Sequence, residues 1–283
     1  MGSDQAGSGS GDPEGTGKLR SWVRDGVARI EIDNPGKRNA MTGQMWRALP
    51  PLLDRLDADP DVRSVVLIGH GGTFCAGADI SELTTMRETP GAGGAEDPGG
   101  PREDVVTVAE AALFAFPKPT IAVVDGFCIG GGCQLAVGCD LRLATDRARF
   151  GITPAKLGIV YPASSLARLT ALVGPSAAKL LLYSADLIDA DHALRIGLVD
   201  EVRPAGEILH RVHEFTGTLA SRSQLTLHAA KDVIDAAAAG SRLAERARHW
   251  DDVARSSGEA AEGIAAFLER RAPSFPWTPG RRG

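Results

Sequence analysis

An α/β fold with a helical C-terminal part is predicted from two patterns in the sequence. Short apolar runs alternate with helical spacing as far as Val202, and beyond it helical spacing continues alone. The alternation of residues 27–32 (VARIEI) predicts a half-buried strand, and residues 62–68 (VRSVVLI) predict a more buried one. Between them Thr42 is placed to cap a helix whose Met45, Leu49, Leu52, Leu53 and Leu56 share one face, with Pro50-Pro51 expected to interrupt or kink it. Residues 120–124, 141–144 and 198–202 read as further strands, and the alternation of strands with helical segments suggests crossover units. Residues 206–220, 224–239, 243–256 and 260–271 then carry apolar residues at helical spacing, a part expected to pack on the core or on another subunit.

These patterns divide the chain into a tail (1–17), a core (18–202) and a helical C-terminal region (203–283). The tail is Gly, Ser, Asp and Pro with almost nothing apolar, a composition expected to stay disordered. A second stretch of this kind, residues 90–101, reads as a disordered insertion or a lid.

Composition sets the partners. The 283 residues carry a net charge of -5, with 43% hydrophobic and 24% charged residues of both signs interspersed. No basic stripe points to nucleic acid and no polybasic segment to a membrane surface. No apolar run approaches the roughly 20 residues of a bilayer span, and no signal peptide opens the sequence, so a cytoplasmic protein with small-molecule ligands is expected. Cys75, Cys128, Cys133 and Cys139 form no C-x-x-C pair and stand beside no histidines at zinc-ligand spacing, so they read as buried thiols and no metal is expected.

Two glycine-rich turns carry the chemistry. Residues 71–80 (GGTFCAGADI) follow a buried strand directly, and residues 125–136 (DGFCIGGGCQLA) follow another and lead into an apolar helix. Small residues let a ligand approach the backbone, and glycines at a helix start expose N–H groups at the positive end of the helix dipole. Either turn alone is equally consistent with a purely structural role. Gly130-Gly131-Gly132 does not fit the dinucleotide pattern, and neither a phosphate-binding P-loop nor a nucleophile elbow is present.

Taken together, the two turns resemble the signature loops of the crotonase, or enoyl-CoA hydratase/isomerase, superfamily. Residues 34–41 (NPGKRNAM) look like its first CoA-contact turn, and 151–158, 188–202 and 262–271 continue the resemblance in order. The resemblance implies a spiral of β-β-α units with a helical C-terminal trimerisation region, assembled as a homotrimer or homohexamer. It implies an acyl-CoA lyase or isomerase whose coenzyme A arrives with the substrate, with no separate cofactor. It further implies that the backbone N–H groups of Ala78 and Gly131 form an oxyanion hole for a thioester enolate. Lys37, Arg38, Ala76, Asp79 and Ile80 would lie near the CoA arm, with Phe267 packing near CoA from a neighbouring subunit; for Lys37 and Arg38 a solvated turn is the alternative.

The chain departs from the hydratase pattern at the acid–base positions. Gln134 stands where hydratases carry one glutamate, and Pro154 falls on the place of the other. An amide orients water but cannot take its proton near neutral pH. Decarboxylation of a malonyl-type thioester, which forms the enolate by losing CO2, is therefore an alternative, as is non-catalytic acyl-CoA binding. Thr153-Pro154, Leu157-Gly158 and Tyr161 resemble the corresponding segment of methylmalonyl-CoA decarboxylases, which makes Tyr161 a candidate to orient a carboxylate or else a core tyrosine. Those relatives carry histidine in place of Ala78. His70 reads as a turn histidine; His192, His210, His213, His228 and His249 read as solvated helix faces, and Asp140 as a partner of strand hydrogen bonds.

Overall fold

The computed structural model describes residues 17–82 and 104–278. The tail up to residue 16 and the 90–101 stretch lie outside the described residues. Two antiparallel strands, β1 (Lys18–Arg24) and β2 (Val27–Asp33), open the fold. β3 (Ser64–Gly69), β4 (Thr120–Val124), β6 (Leu141–Thr145) and β9 (Glu201–Arg203) add in parallel, giving the order β1-β2-β3-β4-β6-β9. A second sheet, β5-β7-β8, is built from β5 (Phe127–Ile129), β7 (Arg149–Gly151) and β8 (Ile188–Asp189).

Parallel strands need crossovers, and the helices supply them. α1 (Gly43–Ala58) starts where Thr42 Oγ1 accepts from Met45 N at 3.2 Å, as its cap position predicts. It runs on through Pro50 and Pro51 without the expected break. Leu49, Leu52, Leu53 and Leu56 are buried on both sides of the prolines, so core packing offsets the two lost helical hydrogen bonds.

α2 (Val105–Phe114), α3 (Gly131–Gly138) and α4 (Ala163–Ser184) complete the layer over this face. The core lies between these helices and the sheet, with Ile30, Leu67, Phe74, Leu113, Leu135 and Phe150 among its buried members. The opposite face carries a smaller cluster in which Val66, Ile121, Val123 and Leu143 meet Ile208 and Val212. Those last two belong to α6 (Ile208–Ser221).

After α5 (Ala190–Arg195), residues 198–200 are a turn rather than the start of the predicted strand. Leu198 N and Val199 N both donate to Ala193 O, closing the helix end, and only 201–203 pair with β6. The helical C-terminal region is present as α6, α7 (Gln224–Ala238), α8 (Leu243–Ser257) and α9 (Glu259–Glu269). His228 corrects the reading of the helical histidines as solvated. It is buried on α7, its ring 5.3 Å from that of Trp277. Among the described residues no helix is long and apolar enough to cross a membrane.

Candidate active site

The first glycine-rich turn is held from both sides. On one side Met41 N donates to Gly77 O, Asp79 N to Met41 O and Ala76 N to Arg38 O, at 2.8, 2.9 and 3.1 Å. On the other, Phe74 N donates to Asp125 O, Cys75 N to Phe127 O and Ile129 N to Cys75 O, at 2.7, 2.8 and 2.9 Å. Asn39, in the left-handed region at φ 58°, ties the 34–41 turn down by donating from Nδ2 to the carbonyls of His70 and Thr73. Gly77 C=O and Asp79 N–H face Met41, so the alternation of an extended chain turns the Ala78 N–H to the opposite side.

The second turn lies on that side. Asp125 anchors its start, accepting from Arg147 Nε and Nη2 at 2.6 and 2.5 Å and from Thr145 Oγ1 at 2.8 Å. Desolvation alone would raise the Asp125 carboxyl, but these partners outweigh it and hold it below its ordinary range. β5 then delivers the chain to Gly130, whose N–H donates to Gly151 O at 2.8 Å, and α3 begins at Gly131. A first-turn amide has no partner within its helix. Among the described residues neither Ala78 N nor Gly131 N donates to a backbone carbonyl.

The approach of the two turns is close enough to demand glycine. A β-carbon on Gly131 would stand 3.2 Å from Ala78 N and 3.0 Å from Trp46 Cζ2, and one on Gly132 would overlap Cys75 O at 2.4 Å. The backbones of the two turns thus meet with no room for a side chain between them.

Of the groups expected near the CoA arm, Lys37 and Arg38 on the 34–41 turn meet Asp79 and Ala76 on the first glycine-rich turn. Lys37 Nζ lies 2.5 Å from Asp79 Oδ2 and donates to Ser81 Oγ at 3.2 Å. Burial would raise the Asp79 carboxyl, but the hydrogen bonds from Lys37 and Ser81 and the ammonium charge hold it below its usual value. Arg38 lies 5.5 Å from the centre of the Phe127 ring, and Ile80 is exposed. Phe267 is 82% exposed near the end of α9.

Gln134, one turn into α3, and Tyr161 are both buried, at 6% and 9% exposure. The Tyr161 hydroxyl donates to Gly130 O at 3.3 Å, beside the second turn, and burial pushes its phenol pKa up. Pro154 is buried at the start of a short helical turn and brings no polar side-chain atom, while Thr153 Oγ1 is 4.0 Å from where a β-carbon on Gly130 would lie. His70 is half-exposed with Nδ1 3.2 Å from Glu31 Oε1, and Asp140 accepts from Thr120 N, as expected of both. All four cysteines are free and buried.

One functional candidate escaped the sequence reading. Glu110 on α2 is 0% exposed and accepts from Gln134 Nε2 at 3.3 Å and from Ser165 Oγ at 2.5 Å. Arg168 Nη1 lies 3.0 Å from its other oxygen, an ion pair by distance although the angle is poor for a hydrogen bond. The signal available was a single carboxylate within the otherwise apolar helix VVTVAEAALF.

Parallel strands joined by helices, with two glycine-rich strand-to-helix turns in close backbone approach, define an α/β protein. The enoyl-CoA hydratase/isomerase family model matches residues 23–278. A putative enoyl-CoA hydratase of Thermus thermophilus is 35% identical over 254 residues, covering 88% of this chain and 97% of that protein. A crotonyl-CoA hydratase of Syntrophomonas wolfei is 35% identical over 256 residues, covering 88% and 94%. A crystal structure of an enoyl-CoA hydratase/isomerase family member superposes with a TM-score of 0.87 at 40% identity, covering 94% of this chain and 98% of that one. The chain belongs to the enoyl-CoA hydratase/isomerase family, with the α/β fold of the crotonase superfamily.

Proposed function

We propose that the protein binds an acyl-CoA thioester and stabilises its enolate between the Ala78 and Gly131 amides. The observation that supports this reading is the close approach of the two turns, with Ala78 N 3.2 Å from the β-position of Gly131 and, among the described residues, neither amide donating to a backbone carbonyl. A thioester carbonyl gathers negative charge on one oxygen as it becomes an enolate, and fixed donors stabilise that charge without reorganising, each lowering the barrier by about 3 kcal/mol. The reaction we assign is hydration or double-bond movement on an enoyl-CoA, the class named for relatives such as the S. wolfei crotonyl-CoA hydratase. Lys37, Arg38, Ala76, Asp79 and Ile80 form the CoA-binding side. Ile264, Phe267 and Leu268 form an exposed apolar face on α9, which we assign to subunit contact in a trimer or hexamer.

A second reading is decarboxylation of a malonyl-type thioester. It is favoured by Gln134 and Pro154, since departing CO2 leaves its electron pair on the α-carbon and needs no base. Incubation with crotonyl-CoA and with methylmalonyl-CoA, followed by chromatography, separates the readings. The expected product is 3-hydroxybutyryl-CoA; propionyl-CoA instead would establish the second reading. Binding of CoA esters without conversion would leave an acyl-CoA binding protein, and absence of affinity for any CoA ester would overturn the whole assignment.

A further inference from the structure

We infer that Glu110 is a positioning residue that locks the Gln134 amide with its carbonyl oxygen toward the acyl group, so that the site selects a hydrogen-bond donor on the acyl chain. This rests on the acyl-CoA reading and deepens it. The argument is one of donors and acceptors. Gln134 Nε2 has two hydrogens, one directed to Glu110 Oε2 at 3.3 Å and one to Ser165 Oγ at 2.9 Å. Ser165 has one hydroxyl hydrogen, and it goes to Glu110 Oε2 at 2.5 Å. All three hydrogens of the triangle are committed.

Turning the amide over would set its oxygen against a carboxylate, two acceptors facing each other with no hydrogen between them. Arg168 Nη1 lies 3.0 Å from the far oxygen of Glu110, and with Glu110 Oε2 as the shared acceptor this orientation is the only satisfied one. Gln134 Oε1 is therefore the free pole of the side chain. Among the described residues it has no protein donor, yet it is not sealed among the buried unpartnered atoms.

Its place in the helix aims it. Gln134 lies three residues after Gly131, on the same helical face, and side chains lean toward the helix start. Oε1 is thus offered about one turn from the amide that would hold the thioester oxygen. A group two carbons from that carbonyl, a hydroxyl or a water bound there, can donate to it. A carboxylate has no hydrogen to give and meets only repulsion.

Calorimetric titration with 3-hydroxybutyryl-CoA and with butyryl-CoA tests this, the hydroxy ester being assayed after each run so that any dehydration is accounted for. The wild-type protein is expected to bind the hydroxy ester about three- to tenfold more tightly, the effect of one hydrogen bond. Glu110→Met, which removes every acceptor at that place, should bring the ratio to within about twofold while butyryl-CoA affinity holds; a purely structural role for Glu110 would weaken both ligands together and overturn the inference. Should that variant fail to fold, Gln134→Leu, which leaves Glu110, Ser165 and Arg168 in place, must abolish the preference by itself. No preference in the wild type, or a preference that survives either substitution, overturns the inference and leaves the acyl-CoA reading standing. Failure to bind either ester takes both down.

Discussion

The amide nitrogen of Ala78 stands 3.2 Å from the point a β-carbon on Gly131 would occupy, and that same carbon would reach to 3.0 Å from the Trp46 ring. No side chain therefore fits at position 131, and the indole that a β-carbon there would meet is fully buried. Gly131→Ala is expected to force the turns apart and misplace one donor. Turnover of crotonyl-CoA should fall about 100-fold, the usual effect of losing one such hydrogen bond. Affinity for free coenzyme A, which has no acyl oxygen, should change by less than about twofold. Steady-state kinetics beside a CoA titration checks this, and equal losses in both would mean that the variant damages the CoA side rather than the hole.

The Lys37 ion pair gives a stability signature. Desolvation pushes the Asp79 carboxyl up, and hydrogen bonds from Lys37 and Ser81 pull it down further, for a net value below the ordinary one. A carboxyl lowered on folding contributes stability that is fully present above its unfolded pKa and is lost as pH falls through its folded pKa. The difference in melting temperature between wild type and Asp79→Asn should thus be constant above about pH 5 and close progressively below about pH 4. A difference that widens toward acid would show that Asp79 is not held in its charged form.

Much of this site was legible in the sequence, and the parts that were not share a cause. The two glycine-rich turns announce themselves because close backbone approach excludes side chains, a constraint written directly as composition. Thr42 was legible as a cap because its partner, Met45, is three residues away. Glu110 was not, because its partners Gln134 and Ser165 are 24 and 55 residues distant and only the packing of α2 on α3 and α4 brings them together. α4 was hidden by Gly174-Pro175, where Gly174 adopts φ 77° and two helical stretches meet across it. The edge strand β1 is mostly exposed, so its residues lack the apolar alternation that marked β2.

The cysteines provide a test of packing at the turns. Burial pushes the thiols of Cys75 and Cys139 up to about 12 and raises Cys128 well above its ordinary value. At pH 8 a thiol with such a pKa is about one part in ten thousand thiolate, and the thiolate is the reactive form. Cys133 is shielded by burial, so an aromatic disulfide reagent should titrate none of the four free cysteines in the native protein, and all four after unfolding in guanidinium. A fast-reacting thiol in the native state would contradict the buried placement of Cys75 in the first turn.

Replacing Gln134 by glutamate would restore a carboxylate at a hydratase position, but the structure sets a condition on it. The new carboxylate would occupy the place from which Gln134 Nε2 reaches Glu110 Oε2 at 3.3 Å, and two carboxylates at that separation cannot both ionise. One of the pair must have its pKa raised on folding. A raised carboxyl costs stability as pH rises from its unfolded value, near 4.3 for glutamate, through its folded value, and the cost is constant above that. Gln134→Glu alone should accordingly lose melting temperature relative to wild type as the buffer is taken from pH 4 to pH 8. Adding Glu110→Gln exchanges the two roles, giving one carboxylate facing one amide again, and should recover most of the loss at pH 8. The double variant should also hydrate crotonyl-CoA faster than the single one, because its introduced carboxylate is free to ionise and accept a proton from water. Thermal melts across pH for the four proteins of the cycle, with hydration rates at pH 8, decide the matter: losses that simply add would show that Glu110 and Gln134 do not act on one another.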